Sequence, residues 1–100
     1  MDMEKTRREA IRWNILMALN AGRPEAVAET LILSAIQGIP LQCTALDLRR
    51  ELDYLADREL VTLKRLEGTP WLADLTRHGV DVVEYTVECD PGIARPKKYW

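Results

Sequence analysis

Thr44-Ala-Leu-Asp-Leu-Arg-Arg-Glu-Leu-Asp-Tyr-Leu-Ala-Asp-Arg-Glu-Leu-Val-Thr-Leu-Lys-Arg-Leu66 decides the fold, because two periodicities meet within it. Thr44-Ala-Leu-Asp47 has the form of a capping box, with Asp where Glu or Gln is usual. It opens a helix over about residues 44–58 whose inner stripe is Ala45, Leu48, Leu52 and Leu55, at about 100° per residue. From Leu60 to Leu66 the pattern is that of a strand, Glu67-Gly-Thr-Pro70 supplies turn chemistry, and Trp71-Leu-Ala-Asp-Leu75 reads as a second strand. A helix therefore runs straight into a short hairpin, the wing, over about residues 60–75.

Upstream, Ile11, Ile15, Ala18 and Leu19 fall on one side of a first helix over about residues 3–20, which Gly22 and Pro24 stop. Trp13, Leu16 and Met17 project from its other side, so this helix needs a cover on both faces, from the C-terminal tail or from another subunit. A second helix is expected over about residues 24–37, opened by Pro24 and carrying Val27, Ala28, Leu31, Ile32, Ala35 and Ile36. Gly38 closes it and Pro40 prevents its resumption. Downstream of the hairpin, Thr76 caps a last helix over about residues 76–87 with Val80, Val83 and Val87, and residues 88–100 form a tail.

One hundred residues, 47% of them hydrophobic, suffice for one modest core in a single domain without metal or disulfides. No apolar run reaches the roughly 20 residues needed to cross a bilayer. The charged start Met1-Asp-Met-Glu-Lys5 is unlike a secretory leader, so a cytoplasmic protein with no membrane partner is expected. Cys43 and Cys89 lie far apart and in no metal spacing, which reads as two free thiols. The formal charge of −2 lacks the basic excess usual in nucleic-acid binders, so any DNA-binding surface must be locally basic.

Helix, helix, helix, hairpin, helix is the order of a mainly α, α+β winged helix-turn-helix. The segment from Leu48 to Val61 resembles the end of the recognition helix and the entry to the wing in bacterial regulators of the ArsR, MarR and PadR types. Leu75-Thr-Arg-His-Gly79 is similar to their "LT-x-x-G" exit from the wing. Together with Leu52-Asp-Tyr-Leu55, Leu75 to Val83, and Pro91-Gly-Ile-Ala-Arg-Pro96, the chain most resembles a small family of winged-helix proteins encoded by Mu-like phages and prophages. The resemblance implies a phage or prophage transcriptional regulator that binds double-stranded DNA, and it carries no catalytic motif.

On a helical wheel Leu46, Arg50, Asp53, Tyr54 and Asp57 point away from the core, with Arg49 at the flank. Arg49 and Arg50 suit guanine edges, Gln42 and Thr44 at the helix start suit bases or phosphate, and Lys64 with Arg65 would set the wing on the backbone. Against this stands the charge from Thr44 to Arg58: three basic residues (Arg49, Arg50, Arg58) against four acidic ones (Asp47, Glu51, Asp53, Asp57), or −1. The alternative is a protein-interaction module for a phage or host protein, with Leu46 and Tyr54 as anchors.

An enzyme is not expected, because neither a phosphate loop nor a nucleophile elbow occurs and one histidine leaves few acid–base options. No cofactor is called for. A metal or redox sensor would have to use His78, Asp81 and Glu84, spaced i, i+3, i+6, or Cys43 beside the third helix, and each set is thin. Trp71 reads as wing-to-core packing and Trp100 as a tail anchor on the first helix. Trp13, Leu16 and Met17 are the expected homodimer interface, since an apolar face left uncovered would promote aggregation.

Overall fold

The first helix is held at its start by Asp2, whose carboxylate accepts from the Lys5 N–H at 3.2 Å. In the computed structural model, which describes residues 2–98, this helix, α1, spans Met3–Ala21 and is followed by β1 (Val27–Ala28), α2 (Glu29–Gln37), α3 (Ala45–Asp57), β2 (Val61–Lys64), β3 (Leu72–Leu75) and α4 (Arg77–Val83). The strands form one antiparallel sheet in the order β1-β3-β2. Ile11, Ile15, Leu16 and Leu19 of α1, Ile32 and Ile36 of α2, Leu48, Leu52 and Leu55 of α3, and Val82 of α4 close over one core with the sheet. None of them is more than 1% exposed.

The capping box stands as expected: the Thr44 hydroxyl accepts from the Asp47 N–H, and the Asp47 carboxylate accepts from the Thr44 N–H, both at 3.1 Å. Ala45, however, is exposed, and Glu51 takes a buried place beside Leu48, Leu52 and Leu55. The hairpin pairs Val61 with Leu75 and Lys64 with Leu72 around the turn at Gly68, whose φ of +79° is a glycine conformation.

The second helix is shorter than its apolar spacing suggests. Residues 24–28 lie outside it, and Pro24 does not open it. Val27 and Ala28 run extended along β3, facing Ala73 and Leu72, and add a third strand to the expected two. The free edge of β3 offers backbone partners, and Val27 reaches the core from a strand as well as it would from a helix. The Glu29 N–H then donates to the Trp71 carbonyl at 2.8 Å as α2 begins. Leu31 consequently stands 64% exposed instead of buried.

The last helix is also shorter, ending at Val83 rather than near residue 87. Tyr85 takes a left-handed φ of 63°, the Thr86 N–H turns back to the Asp81 carbonyl at 3.0 Å, and the Arg95 guanidinium donates to the Val82 and Val87 carbonyls. These bonds satisfy the helix end and lead the chain away from its axis. The tail then crosses α1: Ala94 N–H donates to the Glu9 carbonyl at 3.1 Å, Ile93 is buried, and the Trp13 ring meets Tyr85 edge-on with centroids 6.2 Å apart.

Both faces of α1 are therefore covered within one chain. Leu16 is fully enclosed and cannot meet a second subunit, which corrects the expectation for that residue. Trp13 and Met17 remain half-exposed, packed against the core. Trp100 lies outside the described residues. Among the described residues no helix is long and apolar enough to cross a membrane.

Candidate nucleic-acid interface

Helix α3 faces outward along Leu46, Arg50, Asp53 and Asp57, since Leu48, Leu52 and Leu55 claim the opposite side. Leu46 is 59% exposed. The side chains of Arg50 and Asp57 are exposed and make no hydrogen bond or ion pair with the described residues. The same holds for Lys64 at the end of β2.

The remaining acids of α3 are turned to partners. Asp47 serves the cap and lies 3.4 Å from Arg7, and its carboxyl is held below its usual range, first by the Thr44 N–H. Glu51 is buried against Arg12, with Nε to Oε1 at 2.7 Å. Asp53 pairs with Arg65 of the wing. The −1 counted along the sequence is thus not the charge α3 displays: among its described residues the unpaired charges are one cation, Arg50, and one anion, Asp57, because Arg58 pairs with Asp90 at 3.4 Å.

Arg49 acts as a strut between elements, with its side chain 42% exposed. Its Nε and Nη2 grip both carboxylate oxygens of Glu29 at 2.8 Å, and its guanidinium lies 4.5 Å from the Trp71 ring centroid. The Glu29 side chain is only 8% exposed and also accepts from the Trp71 N–H. Arg49, the buried setting opposing it, and that backbone donor together hold the Glu29 carboxyl below its usual range, with Arg49 the largest influence. One arginine thereby joins α3, the start of α2 and β3.

Tyr54 is likewise drawn inward. It is half-buried between the Arg12 and Arg58 guanidiniums, 3.6 and 4.1 Å from its ring centroid, and its hydroxyl lies against Gly92 of the tail. It is therefore not the free anchor on the outer face that its wheel position suggests. Arg65, exposed at the end of the wing, pairs with Asp53 and lies 4.9 Å from the Trp71 ring centroid. Gln42 and Thr44 are exposed at the start of α3, and the Gln42 carbonyl accepts from Arg7 at 2.7 Å. Arg50 and Lys64 thus remain open beside each other's elements, whereas Arg49 and Tyr54 are engaged in packing.

Arg12 and Glu29 were invisible as structural centres in the sequence, because their importance comes from partners 39 and 20 residues away. Among the described residues no three His, Cys, Asp or Glu side chains gather as metal ligands. His78 is exposed, and Glu84 pairs with Arg23 at 3.6 Å. Burial pushes both thiols, Cys43 and Cys89, up, which favours the unreactive protonated form.

No protein-family model matches the chain, and no curated protein matches it. Among solved structures it is similar to BpsR of Bordetella bronchiseptica, from work on the regulation of its DNA binding by 6-hydroxynicotinic acid, at 21% identity and a TM-score of 0.62. That likeness covers 77% of this chain and 50% of the other, so the chain spans half the length of BpsR. It is also similar to RosR of H. salinarum grown from NaBr, at 26% identity and a TM-score of 0.62, covering 77% of this chain and 72% of that one. A second RosR structure, the hsRosR-S1 complex, gives 27% identity, a TM-score of 0.60 and coverage of 77% and 70%. By fold, then, the chain is a mainly α winged helix-turn-helix protein, similar to BpsR and RosR.

Proposed function

We propose that the protein is a DNA-binding transcriptional regulator that presents α3 to the major groove with the hairpin wing alongside. The observation that carries this reading is Arg50: an unpaired, exposed cation on the outer stripe of α3, while three of the four acids of that helix face partners within the chain. Arginine in that place suits the N7 and O6 acceptors of guanine. Lys64 supplies a phosphate contact from the wing, and Gln42 and Thr44 stand at the helix end that enters a groove first. The likeness to BpsR, a protein with regulated DNA binding, supports the same assignment.

The finer reading is a regulator of a Mu-like phage or prophage, acting in the cytoplasm. It rests on the motifs around Leu52 to Leu55, Leu75 to Val83 and Pro91 to Pro96. Pairing of two copies would use the half-exposed Trp13 and Met17 and would set two recognition helices one helical turn of DNA apart.

The reading is tested by titrating the protein with a random-sequence duplex in about 50–200 mM NaCl. The expected result is binding whose log K falls linearly with log salt, with a slope of roughly −2 per protomer for the two open cations. Absence of binding at the lowest salt, or salt-independent binding, would contradict it. A second reading, a protein-interaction module, is favoured by Leu46, which an unpartnered groove-facing helix leaves 59% exposed. It expects a protein partner whose capture fails with Leu46→Ala while DNA is not bound at any salt.

A further inference from the structure

We propose that Asp53 is a specificity-determining residue which lowers the affinity for random-sequence DNA by holding the wing arginine, Arg65, against α3. The proposal rests on the DNA-binding reading above and deepens it. Arg65 follows the last residue of β2, where a wing meets the phosphate backbone, yet its guanidinium is turned to the Asp53 carboxylate and lies over Trp71.

The contrast with Arg49 is the argument. Both guanidiniums stack on the same Trp71 ring, at 4.5 and 4.9 Å from its centroid, and both are paired with a carboxylate. Arg49, itself 42% exposed, is gripped at two points by a carboxylate that is 8% exposed, so a phosphate would have to displace a bidentate partner that is buried. Arg65 is held at one point, by a carboxylate 49% exposed, and is itself 48% exposed. An exposed, single-point pair is weak and screened by salt, so a phosphate oxygen can replace Asp53 as its partner.

Replacement leaves the Asp53 carboxylate unpaired on the outer stripe, three residues beyond Arg50, facing a polyanion. At most positions of random DNA it meets phosphates or base edges without a fitting donor, and there the exchange is unfavourable. A site that places a cytosine amino group there gives the carboxylate a donor and frees Arg65 for the backbone. Discrimination then comes from an unfavourable contact built against the wrong sequence, as well as from the favourable one to the right sequence.

The test compares the full-length protein with Asp53→Asn, Arg65→Ala and the double variant, titrated with one random-sequence duplex over about 50–200 mM NaCl. Asparagine keeps the size of the side chain, and thermal melts establish that each variant is folded. Asp53→Asn is expected to tighten binding about fivefold near 0.1 M salt and to steepen the log–log slope by about 0.9, the signature of one added phosphate contact. Arg65→Ala, which leaves the Asp53 carboxylate unpaired toward the phosphates, is expected to weaken binding without steepening the slope, and the double variant to show the unaltered slope. An unchanged slope in Asp53→Asn, or a steepening that persists without Arg65, overturns the proposal while DNA binding itself stands. Failure of all four proteins to bind at the lowest salt overturns both readings together.

Discussion

Replacing Arg12 with alanine is expected to lower the stability of the folded chain by about 3–5 kcal/mol. For a chain of this length that is a fall in melting temperature of roughly 15–30 °C. Arg12 is 13% exposed and Glu51, its partner at 2.7 Å, is 7% exposed, so removing the cation strands a carboxylate inside the protein. The same guanidinium donates to the Gly92 carbonyl at 2.8 Å and lies 3.6 Å from the Tyr54 ring centroid. Its loss therefore also loosens the tail from α1 and α3. The pair Arg12→Met with Glu51→Leu removes both charges and keeps apolar volume, and it is expected to recover most of the loss, because desolvation offsets much of a buried pair's attraction. A thermal melt of Arg12→Ala within about 1 kcal/mol of the parent would refute the assignment of Arg12 as the hub of the three elements.

Gly79→Ala is expected to destabilise by about 3 kcal/mol even though it lies in a helix, where alanine is intrinsically favoured by about 1 kcal/mol. A Cβ at this position would fall on the Leu60 carbonyl oxygen, inside any allowed contact, with the Leu75 side chain at 3.1 Å on another side. The carbonyl has little freedom to retreat, since it accepts from the Thr76 N–H at 3.0 Å. Thr76 in turn caps α4 by accepting from the Gly79 N–H at 3.0 Å and donates its hydroxyl to the Glu59 carbonyl at 2.6 Å. Gly38→Ala is the control: its Cβ would find only ordinary contacts, the nearest at 3.4 Å, and a near-neutral melt is expected. Equal stability of the two variants would show that the approach of α4 to the wing is not tight.

Those two residues mark the limits of what the sequence discloses. Gly79 stood out through the resemblance of Leu75-Thr-Arg-His-Gly79 to the LT-x-x-G exit of winged-helix regulators, and its cap, Thr76, was legible because it lies only three residues away. The capping box at Thr44 was legible for the same reason, its two hydrogen bonds being made between residues three apart. Arg12 was not, since what makes it structural is Glu51, and only the folded chain brings them together. A signal existed even so: Glu51 lies three residues after Leu48 and four before Leu55, on the inner stripe, where a charge needs a partner.

The same distinction explains the errors in the second helix and the site. Val27 and Leu31 have helical spacing, but Val27 pairs with Ala73 across 46 residues, a contact no local pattern encodes. A helical wheel put Tyr54 on the outer face and Arg49 at its flank without showing what packs against either. Glu29 with Trp71 takes Arg49, and Arg12 with Arg58 takes Tyr54. What the wheel located well was the centre of the face, Leu46, Arg50 and Asp57, because the position opposite a buried leucine stripe depends on the helix alone.

Arg50 separates the DNA reading from every structural role most directly, since its side chain is exposed and makes no hydrogen bond or ion pair with the described residues. The decisive measurement is the affinity of Arg50→Ala for duplex DNA at one salt concentration, beside its melting temperature. An unchanged melt with roughly a tenfold loss of affinity is expected, the effect of one arginine contact to base or backbone. An affinity equal to that of the parent, in a protein that melts at the same temperature, would mean that α3 does not face DNA.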